Sequence, residues 1–367
     1  MGCWLPPSGS HHVVTRKVAT SPSQQPEQLR CHTHAADRLL DYVGDVHRSR
    51  SYRDGKLTDS DFALDQISEH LDAGCIVWVD LVSPDRGTLE VLALELGLHE
   101  LAVEDAINLR QRPKLDRYPD HLFLSAYSTR FDVATAKITV NEIAAFITER
   151  ALITIRRDES IPIDDVITRW DDAPELAQSG VPFLVHGVLD FLVDGHFDAV
   201  QQLDEQIEDL ANQLFLSRVN QEAIQKRSFE LRQSLVLLRR VVLPMREVLN
   251  TFLRRDLHIV DEKMGFYFQD VYDHVLRASE WTETLRDLVT SMLETNLAIQ
   301  GNRLNVITKK VTGYAAIIAV PTAVTGFYGQ NVPYPGFGQI PGLVSSVALI
   351  VGLSALLFVL FKRNDWI

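Results

Sequence analysis

VTGYAAIIAVPTAVTGFYGQNVPYPGFGQIPGLVSSVALIVGLSALLFVLF, residues 311–361, runs for 51 positions without an Asp, Glu, Lys or Arg. Helix breakers divide it, because Gly329-Gln330-Asn331-Val332-Pro333-Tyr334-Pro335-Gly336 is dense in turn residues. On either side lie Val311 to Tyr328 and Leu343 to Phe361, 18 and 19 residues. An α-helix needs roughly 20 to cross the hydrocarbon core of a bilayer. The stretch reads as two membrane spans joined by a short loop. The alternative, a helical hairpin buried in a soluble core, does not sit well with so long a run free of charge.

The flanks give the orientation. Lys309 and Lys310 precede the first span, Lys362 and Arg363 follow the second, and the loop carries no Lys or Arg. The positive-inside bias then puts both ends in the cytoplasm; the expected location is the plasma (inner) membrane, as a multi-pass protein. Residues 301–367 carry a net charge of +4, so the 300 before them hold −17 of the chain's total of −13. An acidic soluble body is joined to an apolar, cation-flanked end. That balance argues against a nucleic-acid partner, which needs a cationic face.

The two spans differ in kind. The second is smoothly apolar, with Leu343, Val347, Leu349, Leu353, Leu356, Leu357 and Leu360. The first carries small and hydroxylated residues: Thr308, Thr312, Gly313, Pro321, Thr322, Thr325 and Gly326. Asn305, Thr312 and Ala319 lie seven apart and share a helix face, with Thr322 three further on. This spacing fits the lining of a path and the close packing of helices equally well. Two helices cannot enclose a pore, so a path requires several copies.

Working back from the membrane, Leu231, Leu235, Leu238, Val242, Met245, Leu249 and Phe252 alternate by four and three, a heptad seam. Phe197, Val200, Leu203, Ile207, Leu210 and Leu214 keep helical spacing before it, and Leu285, Leu288, Met292 and Ile299 after it. Pro244 inside the seam predicts a bend. One helix from Glu262 to Tyr328 would be about 100 Å long, a stalk running into the membrane. Strands are predicted at Ile76 to Leu81, His121 to Tyr127, Glu142 to Thr148 and Leu152 to Arg156, with a helix beginning at Ser83-Pro84. The division that follows is a disordered tail over 1–35, a cytoplasmic α/β domain over 36–185 and a helical stalk over 186–310. Beyond these come a first span over 311–328, a loop over 329–342, a second span over 343–361 and a basic end over 362–367. The fold class is an α+β membrane protein.

The tail is rich in Ser, Pro, Gln and His. It carries Arg16 and Lys17 and no acid before Glu27, a composition compatible with an organellar transit peptide. Its Cys31-His32-Thr33-His34, with His11 and His12, has soft-metal ligand chemistry but reads as part of a solvated tail. Cys3, Cys31 and Cys75 form no CxxC pair. HExxH, GxSxG and phosphate-binding glycine loops do not occur, so neither an enzyme nor an organic cofactor is expected.

Many separate blocks, in order, resemble the CorA magnesium channels, the two-span family with a Gly-Met-Asn signature. They are Trp78-Val79-Asp80-Leu81, the run Leu98 to Asp105, Gln111-Arg112-Pro113-Lys114, Leu243 to Leu249 and Asp270-Val271-Tyr272-Asp273-His274. Asn302, Asn305, Thr312, Tyr328-Gly329-Gln330-Asn331 and Lys362 to Trp366 complete the set. Here the signature is Gly329-Gln330-Asn331, and the zinc-transporting relatives also vary its middle position.

The resemblance implies a funnel-shaped homopentamer in a lipid bilayer, with the first spans around a central pore. It implies a selectivity filter at Gly329, Gln330 and Asn331, and a pore lined by Asn305, Val311, Thr312, Ala319 and Thr322, with Val311 able to gate by dewetting. It implies Mg²⁺ as both cargo and regulator, bound between subunits by Asp105 and the neighbouring copy's Asp270. Glu104, Asp190 and His274 form a second candidate cluster. The expected activity is inward passage of hydrated Mg²⁺, and of Co²⁺ or Ni²⁺, driven by the membrane potential and gated by internal Mg²⁺. A zinc transporter on the same fold and a non-conducting, membrane-anchored metal sensor or scaffold are the competing functions.

Overall fold

The computed structural model describes residues 47–108, 111–214, 220–254, 260–330 and 332–367. The tail over 1–35, with its transit-peptide composition and its Cys/His cluster, and Asn331 lie outside the described residues.

Seven strands among the described residues form one mixed sheet. They are β1 (His47–Arg53), β2 (Lys56–Ser60), β3 (Ile76–Val82), β4 (Lys114–Arg117), β5 (Leu122–Asp132), β6 (Lys137–Ile147) and β7 (Ala151–Arg156). Their order is β2-β1-β3-β7-β6-β5-β4. Only β3 and β7 pair in parallel, and the other neighbours are antiparallel. The four predicted strands are β3, β5, β6 and β7. The sequence reading missed β1, β2 and β4. β2 is exposed along its whole length, and β4 is a short edge strand of charged residues, so neither shows an apolar pattern.

Alternation along the central strands sends side chains to two cores. Val77, Val79, Leu81, Phe123, Phe146, Ile153 and Ile155 point to the side covered by α1 (Ile67–Asp72), α2 (Arg86–Leu96) and α3 (Glu100–Ile107). Trp78, Leu122, Leu124, Ile143, Ile147 and Leu152 point to the other, against α4 (Ile163–Asp172), α5 (Val181–Leu214), α6 (Gln221–Leu253) and α7 (Glu262–Tyr328). α2 starts at Arg86, two residues after Pro84. Asp85 is its N-cap and accepts the Thr88 amide at 2.7 Å, the satisfaction of an orphan donor that decides where a helix begins. Ser83 cannot serve as the cap because its φ is +51°.

Helices α5, α6 and α7 bundle behind the sheet. Every member of the predicted α6 seam is buried, and Pro244 lies inside a helix that continues past it. Ser234 pins α6 to the β5–β6 turn, its hydroxyl donating to the Ala136 carbonyl at 2.7 Å and accepting the Ile138 amide at 3.1 Å. Over residues 285–299 of α7 the buried positions are Leu285, Val289, Met292 and Asn296, whereas Leu288 is 41% exposed. The predicted row took a three-residue step first where the packing takes four, so Leu288 falls on the open face. α7 is the long helix the sequence implies, 67 residues and about 100 Å in one piece. α8 (Ile340–Arg363) returns beside it, three residues earlier and two later than the uncharged run suggests.

A buried histidine gives the domain an acid-sensitive joint. His196 on α5 is fully buried, and its Nε2–H donates to the Tyr127 carbonyl of β5 at 2.8 Å, while Nδ1 has no partner. Burial, partly offset by that hydrogen bond, pushes its pKa down to about 4. The unfolded chain therefore binds a proton near pH 6.5 that the folded chain resists until about 4. Stability from this group is complete above pH 6.5 and falls by about 1.4 kcal/mol per unit as the pH drops toward 4. Thermal unfolding of wild type against His196→Gln should show a difference in melting temperature that depends on pH in this window and is constant above it.

Candidate functional site

Neither apolar stretch belongs to a core. The apolar windows of α7 and α8 have mean hydropathies of 1.4 and 2.7, and almost none of either is buried. Val311, Ile318, Leu343, Val347, Leu356 and Leu360 all stand exposed. An apolar surface this continuous fits a lipid environment. The hairpin is in register from end to end. Near the charged flanks a Cβ on Gly313 would lie 3.1 Å from the Ile367 side chain and 3.6 Å from Phe361. Near the loop the Tyr328 hydroxyl is 3.2 Å from Ser345 Oγ. Lys309, Lys310, Lys362 and Arg363 consequently collect at one end of the hairpin.

Burial separates two faces of the first span. Gly313, Ala316, Ile317, Val320, Pro321, Val324 and Tyr328 are its more covered positions, and Gly313 is buried. Asn305, Val311, Thr312, Ala319 and Thr322 are all exposed. At about 100° per residue, the Asn305–Thr312–Ala319 stripe lies roughly 120° round the helix from the covered face. The stripe therefore does not serve the packing of α7 on α8. Thr322 donates its hydroxyl proton to the Ile318 carbonyl at 3.2 Å, which leaves oxygen lone pairs facing outward.

At the loop end, Gly329 caps α7. Its amide donates to the Thr325 carbonyl at 2.8 Å, and a Cβ at this position would meet that same oxygen at 2.9 Å, so the close approach requires glycine. Gln330 is exposed.

The candidate ligands of the α/β domain and stalk are dispersed within one protomer. Asp105, on α3, accepts Gln111 Nε2 at 3.2 Å and Lys114 Nζ at 2.6 Å, and that ammonium also reaches Asp116 at 2.6 Å. Burial lowers the Lys114 pKa, but its bonds to Asp105 and Asp116 outweigh this and hold the ammonium above its ordinary value. Glu104 points to solvent. Asp190, on α5, is bound by Arg169, which also reaches Asp194 at 2.8 Å. Asp270 is exposed on α7, and His274 lies beside Phe197, ring centroids 6.4 Å apart. Among the described residues no three His, Cys, Asp or Glu side chains converge on a metal position. Glu104, Asp190 and His274 are thus not gathered within one chain.

Three neighbours escaped sequence reasoning. Lys114 ends the Gln111–Lys114 block, whose sequence carries no sign of its bond to Asp105. Arg169 had no signal at all. His186 lies one helical turn before Asp190, a spacing that points to it. Burial pushes the His186 imidazole below its usual range, against the raising influence of Asp190 and Asp270.

Comparison with known proteins places these features. The sequence profile of the CorA-like Mg²⁺ transporter proteins matches residues 74–363. The cobalt/magnesium transport protein CorA of Thermotoga maritima is 25% identical over 319 residues, covering 86% of this chain and 89% of that one. A zinc transport protein, ZntB of Pectobacterium carotovorum, is 23% identical over 70% of this chain and 77% of its own. Among solved structures, the CorA magnesium transporter of Methanocaldococcus jannaschii superposes with a TM-score of 0.70 at 21% identity, over 88% of this chain and 99% of that one. With the profile spanning most of its length, both apolar helices included, this chain belongs to the CorA-like Mg²⁺ transporter family.

Proposed function

We propose that five copies of this chain form a channel that carries hydrated Mg²⁺ into the cytoplasm. The observation that carries this is the exposed stripe of Asn305, Thr312, Ala319 and Thr322, turned away from α8 on a helix that is otherwise lipid-compatible. Symmetric copies bring the stripes together around water and leave α8 outside as the lipid-facing layer. Mg²⁺ holds its octahedral water shell tightly. Those waters donate hydrogen bonds, and amide carbonyls with acceptor-only hydroxyls receive them without stripping the ion. No carboxylate lies between Val311 and Phe361, so no site there binds a divalent ion too strongly for release. The membrane potential supplies roughly 4.6 kcal/mol per 100 mV for a divalent ion, which makes ATP unnecessary.

In this reading the cytoplasmic domain senses its own product. Asp105 and the neighbouring copy's Asp270 repel each other across an interface until a divalent cation bridges them, and occupancy selects a closed state. Lys114 competes for Asp105 from within the chain, so bridging requires internal Mg²⁺ to be high. Asp270→Lys should bring the protease half-life measured with Mg²⁺ close to that without it. Protection equal to wild type excludes the site.

Uptake of Mg²⁺, Co²⁺ and Zn²⁺ into proteoliposomes under an imposed potential tests the main reading, with Mg²⁺ flux expected. Saturating Zn²⁺ flux without Mg²⁺ flux supports zinc transport instead, a reading favoured by Gln330 in the variable signature position. A well-expressed protein that passes no ion supports the scaffold.

A further inference from the structure

The loop between the spans is built as a clasp. Gly336 has φ +88°, and a Cβ there would sit 2.9 Å from the Gly342 amide nitrogen. A Cβ on Gly342 would lie 2.3 Å from the Gly336 carbonyl oxygen, so two backbone segments touch where neither tolerates a side chain. Tyr334 covers this crossing, packing edge-on against Tyr328 at 4.8 Å and against Phe337 at 5.3 Å.

Hydroxyl hydrogen bonds then tie the crossing to the first span. Ser345 Oγ donates its one proton to the Gly342 carbonyl at 2.9 Å. Its contact with the Tyr328 hydroxyl at 3.2 Å must therefore have Tyr328 as donor. The result is a directional relay, Tyr328 O–H to Ser345 O–H to the Gly342 carbonyl. Each member of such a chain polarises the next. Tyr328 is the last residue of α7, and Gly329 follows it by one peptide bond.

We propose that the Tyr328–Ser345–Gly342 relay is a positioning device that fixes the rotation and height of Gly329 and Gln330 and thereby sets which hydrated divalent cations the channel prefers. This rests on the reading of the loop end as the ion entrance. Each side chain acts through the helix end rather than by touching the ion. Hydrated Mg²⁺ and Co²⁺ exchange their waters at different ease, so a loosened entrance changes their relative binding and not only the total flux.

The test uses the full chain in proteoliposomes, with Tyr328→Phe, Ser345→Ala and the double variant, all conservative in shape. The Mg²⁺ to Co²⁺ ratio of KM should shift about fivefold in the same direction in each single variant, the equivalent of one net hydrogen bond. The double variant should shift no further, because one relay is broken twice. An unchanged ratio, an equal fall in flux for both ions, or additive shifts overturn the proposal. Amide exchange of residues 332–339 provides a readout that does not need flux: protection should fall in both single variants. If wild type passes no ion, the channel reading fails, and unchanged exchange overturns the relay separately.

Discussion

Asp80→Ala is expected to lower the stability of the α/β domain by about 3–5 kcal/mol, the cost of leaving a buried charge without its partner. Asp80, on β3, has no exposed surface. It receives Arg156 Nε at 3.0 Å and Nη2 at 2.5 Å, together with the Thr154 hydroxyl at 2.7 Å. Trp78 Nε1 donates in turn to Thr154 at 3.2 Å, and Arg156 Nη1 closes the set on the Ile161 carbonyl at 2.7 Å. The four side chains lie across β3 and β7, the one parallel pair in the sheet. Removing the carboxylate strands a guanidinium in the core, and a domain holds only about 5–15 kcal/mol in total. Thermal unfolding of the full protein in detergent measures the loss. Asp80→Leu combined with Arg156→Met should be milder than either change alone, because the pair leaves no orphaned charge. A melting temperature unchanged by Asp80→Ala would refute the account.

Asn331→Ala should abolish Mg²⁺ uptake and leave the oligomer intact. On the proposed reading the signature presents a ring of neutral amides, the first acceptors an ion's water shell meets on entering. Alanine offers no acceptor there, and the uncharged stretch beyond it holds no carboxylate that could substitute. A Mg²⁺-sensitive dye inside liposomes reports uptake, and size-exclusion chromatography reports assembly. Substantial residual flux removes Asn331 from the filter. Gln330→Met, measured in parallel, should leave uptake in place and report through ion preference what the altered middle position does.

What could be read beforehand was whatever repeats locally. A heptad row on α6 and 51 uncharged residues are periodic or compositional signals contained in one element, and each predicted its helix directly. The strands β3, β5, β6 and β7 announced themselves because both sheet faces are buried, which makes their runs continuously apolar. β2 and β4 did not, since edge strands are chosen for polarity. Pro84 misled because Asp85 is the better cap, and Leu288 because a heptad row fixes its own direction only once a partner helix is in place. Of the candidate site, the stripe from Asn305 to Thr322 follows from helical spacing. That it faces away from the second span needed the hairpin register, through contacts such as Gly313 with Ile367. The ammonium on Asp105 and the guanidinium on Asp190 join residues 9 and 21 positions apart on different elements, and no local pattern encodes such pairings.

The unbroken α7 helix has a mechanical consequence. Asp270 sits near one end of it and Gly329 just beyond the other, on a rod about 100 Å long. A tilt of about 5° at the base displaces the far tip by about 9 Å, several times the width of a water molecule. A lever of such length amplifies small rearrangements among the acidic domains, and it carries them along one continuous helix to the loop between the apolar segments.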